Sequence, residues 1–136
     1  MTHKFTESDA EEAALEIFRE LGYEYLYGPD IAPAPEGTKP ERNSYSEVVL
    51  VGRLRSALAK INPKISAEAR EEALKKIIRQ ESQKLILNNE SFHKMLVEGV
   101  EVEIRRKDGS SGWDKVQLFD FENLQNNDWV VVNQFT

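Results

Sequence analysis

Apolar residues recur at helical spacing over most of the first 99 positions and then switch to alternation. The first stripe is Ala10, Ala13, Ala14, Ile17, Phe18 and Leu21. Thr6 and Asp9 precede it at the spacing of a capping box, and Gly22 follows as a stop. This pattern predicts a helix. The short aromatic run at 23–27 reads as a strand. Residues 28–40 hold four of the five prolines: Pro29, Pro33, Pro35 and Pro40. A loop of that length is expected to be mobile or to face a partner.

A second helix is predicted over 46–62, with Leu50, Leu54, Leu58 and Ile61 on one face and Pro63 closing it. A third starts at Ser66 as N-cap and carries Ala69, Ala73, Leu74, Ile77 and Ile78. A helical stretch around Leu85, Ile86 and Leu87 leads to Asn88 and Asn89. A separate short helix with Phe92, Met95 and Leu96 then ends at Gly99. Beyond it, Val100, Val102 and Ile104 alternate with Glu101, Glu103 and Arg105, as in a half-buried strand. A turn at 108–112 and a second alternating run through Val116 and Leu118 complete a hairpin. A polar loop at 122–127 precedes Trp129, Val130, Val131 and Val132, which read as a strand buried on both faces. The fold class is α+β: N-terminal helices, then a meander of about three antiparallel strands. The last strand stops at Thr136 without neighbours to complete a sheet, so the chain is expected to be the front end of a larger protein. A bare edge of that kind can also pair with another copy.

Composition narrows the function classes. Of 136 residues, 31% are charged and 40% hydrophobic, as in globular domains. There is no cysteine, which excludes disulfides and thiolate metal sites. No run approaches the roughly 18 apolar residues of a membrane span, and Met1, Thr2, His3 and Lys4 do not open a signal peptide. A cytoplasmic location with no membrane partner is the expectation. The net charge of −6 is the opposite of what a self-sufficient duplex binder carries. Any DNA contact must come from a local patch or from elsewhere in a parent protein.

Candidate chemistry is sparse. Nucleotide-binding loops, zinc-protease helices and serine-hydrolase elbows are missing from the sequence. Two histidines, His3 and His93, cannot make a histidine-rich metal site, and His93 reads as a surface or capping residue. Pro29-Asp30 would suit a metal-dependent nuclease only with a Glu-x-Lys signature after it, and the chain has none, so the pair reads as a turn. Glu11 stands at the edge of the first helix's apolar stripe, stacked over Leu15 and Phe18. There it can be a metal or water ligand in a cleft, or an acid favoured by the helix N-terminus; Glu7 is placed in the cap. Arg53, Lys60 and Lys64 fall along one line of the second helix, with Arg55 nearby. They form either a phosphate-contacting ridge or a solvated face. Arg105, Arg106 and Lys107 make a second small basic cluster beside the hairpin turn.

An ordered set of residues then carries a resemblance. Thr6-Glu7 and Glu11 precede Leu21-Gly22-Tyr23, followed by Arg42, by Val48-Val49-Leu50 and by Leu54, Leu58 and Ile61-Asn62-Pro63. Asn89, Phe92-His93, Leu96, Gly99-Val100, Val116 and Leu118 come next. Asp120-Phe121, Asn126-Asn127 and Val131 to Phe135 close the set. Over nearly its whole length the chain resembles the N-terminus of the R (restriction and motor) subunit of type I restriction endonucleases. The resemblance implies the opening part of a PD-(D/E)xK-type α/β nuclease domain spanning 1–136. It further implies two ATPase motor domains beyond it in the parent. The parent would join specificity and methylation subunits, move DNA with ATP, and cut it with Mg2+. In that family the metal-binding aspartate and Glu-x-Lys follow the Asn133-Gln134-Phe135 strand, so only Glu11 carries over as a metal ligand. This stretch by itself is then expected to be inactive and to hold neither Mg2+ nor ATP. The rival expectation is a non-enzymatic protein-binding or assembly domain, using the acidic surface and the proline-rich loop.

Overall fold

The computed structural model describes residues 4–79 and 84–136, so His3 lies outside the described residues. The elements in chain order are α1 (Glu7–Glu20), β1 (Glu24–Tyr27), α2 (Val51–Ile61), α3 (Ala67–Ile78), α4 (Leu85–Glu98), β2 (Val100–Arg105), β3 (Ser111–Val116) and β4 (Val130–Asn133). They fall into two compact units. One is built from residues up to Leu50 together with Trp129–Thr136, the other from Val51–Asp128.

In the first unit, α1 begins where the capping box predicts. The Asp9 amide donates to the Thr6 hydroxyl at 3.2 Å, and the Thr6 amide donates to the Asp9 carboxylate at 2.9 Å. Two backbone donors that a helix start leaves unpaired are thereby satisfied. The alanine-rich stripe does not become the inward face. No residue of α1 is fully buried, and Ile17 and Leu21 are 58% and 69% exposed. Glu11, Leu15 and Phe18 are among the half-buried positions. Leu15 and Phe18 bring more apolar area than three alanines, and area removed from water decides which face seats.

The strands do not make a three-stranded antiparallel meander. Among the described residues they make two sheets of two. β1 pairs with β4 in parallel, Glu24 opposite Val130 and Tyr27 opposite Asn133. An aromatic chain sets this register: Phe18 meets Tyr23 edge-on at 5.0 Å, and Tyr23 meets Trp129 at 5.4 Å. The Glu24 amide donates to the Trp129 carbonyl at 2.7 Å. β4 is half-buried throughout rather than sealed on both faces, because its ladder has β1 on one side only among the described residues.

The proline-rich segment is folded back on itself. A 3-10 turn at Gly28–Ile31 opens it, and Ile31, Ala32 and Pro33 are buried. The Lys39 amide donates to the Asp30 carbonyl and the Glu41 amide to the Ile31 carbonyl, at 2.8 and 3.1 Å. The predicted second helix loses its first turn and starts at Val51. The Arg42 guanidinium donates to the carbonyls of Tyr45 and Glu47, which a helix over 46–50 would need for its own amides.

The second unit holds the best-buried core. Leu58 of α2, Ala69, Ala73, Leu74 and Ile77 of α3, and Val100, Val102 and Val116 of the hairpin pack together. β2 and β3 are antiparallel as the alternation predicts, with Val100 opposite Val116 and Arg105 opposite Ser111. Asn62, 6% exposed, extends this sheet with its side chain: its carboxamide accepts from the Gln117 amide and donates to the Gln117 carbonyl, both at 2.8 Å. Asn127 does the same for Asp120, accepting from its amide and donating to its carbonyl. α4 is one continuous helix, not two pieces. Two asparagines cost it at most about 0.7 kcal/mol each relative to alanine, too little to break it. Among the described residues no helix is long and apolar enough to cross a membrane.

Candidate functional site

The site is a cleft of about 850 Å³ in the first unit, at the carboxyl ends of the parallel strands β1 and β4. That end of a parallel sheet is where α/β folds place ligands. Glu11, in the second turn of α1, lines it with Arg19, Tyr25, Tyr27, Asn133 and Gln134. Stacking over Leu15 and Phe18 turns the Glu11 side chain toward the strands, so its carboxylate meets the end of β4.

Three hydrogen bonds fix that carboxylate. The Asn133 carboxamide donates to its Oε1 at 2.6 Å. The Gln134 carboxamide donates to both oxygens at 3.0 Å. The Tyr25 hydroxyl in turn donates to the Asn133 Oδ1 at 2.8 Å, which orients the Asn133 amide group. The Arg19 guanidinium lies 4.8 Å from the centre of the Tyr25 ring and adds a cation to the rim. Gln134 itself adopts φ +50°, a left-handed conformation uncommon for a side-chain-bearing residue. Such conformations persist where the surroundings over-determine them. Here Gly28 supplies the room: a Cβ at that position would overlap the carbonyl oxygens of Gln134 and Asn133. On the other side, Arg42 donates to the Thr136 carbonyl and lies 4.1 Å from the centre of the Phe135 ring.

Chemically, the cleft is lined by three glutamates, Glu11, Glu12 and Glu16, and neutral amide donors hold the carboxylate of Glu11. Among the described residues no three His, Cys, Asp or Glu side chains converge as a metal cage. Sequence reasoning singles out Glu11 but assigns no role to Asn133, Gln134, Tyr25 or Arg42. An Asn-Gln pair after three valines carries no signal of a carboxylate 122 positions earlier in the chain.

The proposed basic ridge is only partly assembled. Arg53 of α2 engages the Asp128 carboxylate at 3.3 Å. Lys60 is exposed in the last turn of α2. Lys64 is also exposed, but α2 ends at Ile61, so it does not continue the helical line. Arg55 pairs with Glu71 at 2.6 Å. His93 is exposed on α4.

Residues 4–136 match the family described as type I restriction enzyme R protein N terminus. The chain is 38% identical over 128 residues to the type I restriction enzyme HindI endonuclease subunit of Haemophilus influenzae, covering 94% of this chain and 12% of that protein. It is 31% identical over 125 residues to a Methanocaldococcus jannaschii protein provisionally named the type I restriction enzyme MjaIXP endonuclease subunit, covering 92% and 12%. The chain therefore spans 12% of the length of these curated relatives. No solved structure matches it. A match over all but three residues, with two relatives above 30% identity, means that this chain belongs to the family of type I restriction enzyme R protein N termini.

Proposed function

We propose that the chain is the opening part of the nuclease domain of an R protein, and that the parent cleaves foreign DNA while moving it with ATP. The observation that carries this reading is family membership over residues 4–136, shared with two proteins named as endonuclease subunits. Those names speak for the nuclease rather than for a non-enzymatic assembly domain. On this reading the protein works in the cytoplasm, on DNA, beside specificity and methylation subunits.

Glu11 is the proposed metal ligand. Magnesium is held by one or two carboxylates, with waters and substrate phosphates completing the shell. Glu11 fits as one such ligand, and among the described residues no group of three or more His, Cys, Asp or Glu side chains forms that could hold a metal. A bound Mg2+ would polarise the scissile phosphate and lower the pKa of its water. This chain's own residues do the holding. Asn133 and Gln134 restrain the Glu11 carboxylate at the strand ends, and Tyr25 restrains Asn133. Without a Glu-x-Lys signature in it, the 136-residue chain alone is proposed to be inactive. ATP is assigned to the rest of the parent. Lys60 and Lys64 are the proposed phosphate contacts; Arg53 is a poorer one, since Asp128 engages its guanidinium.

The test is plasmid cleavage by the full R protein in its complex, with Mg2+ and ATP, comparing wild type with Glu11→Ala. Cleavage is expected to fall at least about tenfold, the scale of losing one transition-state contact. Equal cleavage removes Glu11 from the mechanism.

A further inference from the structure

We infer that Arg42 is a positioning residue that sets the exit of β4, and through it the carboxamides that hold Glu11; its role in cleavage rests on the reading of Glu11 as the nuclease carboxylate. Arg42 is 3% exposed, although it sits in a polar stretch between Glu41 and Asn43. All three hydrogen bonds of its guanidinium end on backbone carbonyls. Nε donates to Glu47, Nη2 to Tyr45 and Nη1 to Thr136. The last joins residues 94 positions apart. A guanidinium is a planar fork of donors, so three fixed carbonyls also fix its plane. That plane lies over the Phe135 ring at 4.1 Å and near the Tyr45 ring at 5.7 Å.

The arrangement is directional in a way that simple burial is not. Gln134, in its left-handed conformation, separates Asn133, which faces Glu11, from Phe135, which faces Arg42. Left to itself, an L-residue there relaxes toward negative φ. Such a relaxation rotates the Gln134 carboxamide relative to Glu11. Gly28 lets the carbonyls of Asn133 and Gln134 pass close on one side, and Arg42 holds Phe135 and Thr136 on the other. Glu11 thus depends on a residue that never touches it. Lysine cannot replace this arginine: an ammonium is a point donor without the fork or the flat face.

The experiment compares wild type with Arg42→Lys, and with Arg42→Leu as the harsher variant. Hydrogen exchange and side-chain amide NMR are read on this chain, and plasmid cleavage and ATP hydrolysis on the full R protein. In Arg42→Lys, the Asn133 and Gln134 carboxamide signals are expected to move toward free-amide positions. The β4 amides should exchange at least tenfold faster, while those of Leu58, Val102 and Val116 keep their wild-type rates. Cleavage should fall at least tenfold with ATP hydrolysis unchanged. Wild-type exchange and carboxamide signals in Arg42→Lys overturn the proposal. So does an equal loss of protection in both units, which marks a merely stabilising residue, and so does wild-type cleavage despite a loosened β4. If Arg42→Leu unfolds, Arg42→Lys alone decides. Failure of the nuclease reading is separately visible: Glu11→Ala then cleaves normally, while the exchange result on Arg42 stands.

Discussion

Asn133 donates to the carboxylate of Glu11 at 2.6 Å across 122 positions of chain, joining α1 to the end of β4. The same amide group accepts from Tyr25 on β1. One side chain therefore ties together three elements of the first unit. Asn133→Leu keeps the approximate size and removes every one of these bonds. It is expected to destabilise by about 1.5–3 kcal/mol, the range for hydrogen bonds to a charged group. Urea denaturation followed through tryptophan fluorescence, with exposed Trp113 replaced by Phe so that Trp129 reports, measures it. A midpoint unchanged from wild type shows that the bond contributes nothing.

Gly28→Ala tests the close approach of β1's exit to β4. The added methyl meets the carbonyl oxygens of Gln134 and Asn133, and backbone atoms cannot swing aside as a flexible side chain can. Overpacking of this kind costs about 1–3 kcal/mol, and the shift should concentrate at 133–136. Thermal unfolding gives the size, and amide chemical shifts show where the chain moved.

Leu58 and Ile17 separate true core from surface. Leu58 is 1% exposed among Ala73, Leu74, Val102 and Val116, whereas Ile17 is 58% exposed. Leu58→Ala should cost about 2–5 kcal/mol through lost burial and the cavity left behind. Ile17→Ala should stay within about 0.5 kcal/mol. Equal effects in a denaturant series contradict the packing described.

Asn62→Leu removes a side chain that acts as a strand. The Gln117 amide and carbonyl lose their partner together. A buried donor left unpaired costs about 1–3 kcal/mol, so the variant is expected to lose at least that, even though leucine is the more apolar residue. Faster exchange of the Gln117 amide is the direct readout.

Asp120 supplies a pH signature. The Asn123 amide, then the Asn126 carboxamide and the Glu122 amide, donate to its carboxylate and hold its pKa below the ordinary aspartate range. The folded value lies below the unfolded one. The stabilising contribution is therefore present above the ordinary range and disappears as pH falls through the depressed value. Asp120→Ala should weaken the fold more at about pH 7 than at about pH 3, because the contribution of the charge shrinks as pH falls below the ordinary aspartate range. Denaturant midpoints at the two values decide it.

Much of the local structure is legible in the sequence. Thr6, Asp9 and Gly22 mark the ends of α1 because capping and turn chemistry act over three or four residues. Ser66 caps α3 by the same logic, with the Ala69 amide donating to its hydroxyl at 3.2 Å. The alternation over 100–116 encodes the hairpin because its partners are neighbours in the chain. The position of Glu11 above Leu15 and Phe18 follows from helical geometry alone. Other features depend on residues far away. The start of α2 moves to Val51 because Arg42 captures carbonyls ahead of it, and nothing in the stretch around Glu41 and Asn43 marks that arginine as buried.

The partner of β4 is the clearest case of what lies beyond local pattern. Three valines state that a strand forms and is at least partly buried; they do not state whether it lies beside the hairpin or beside β1. Side-chain contacts decide that, through Phe18, Tyr23 and Trp129. The sequence by itself determined the family, the helix caps, the hairpin and the place of the Glu11 carboxylate at the edge of the first helix's apolar stripe, since each rests on short-range geometry or an ordered set of residues. Only the tertiary structure decided that this carboxylate meets Asn133 and Gln134 at the end of a parallel pair, because that meeting depends on contacts between segments more than a hundred residues apart.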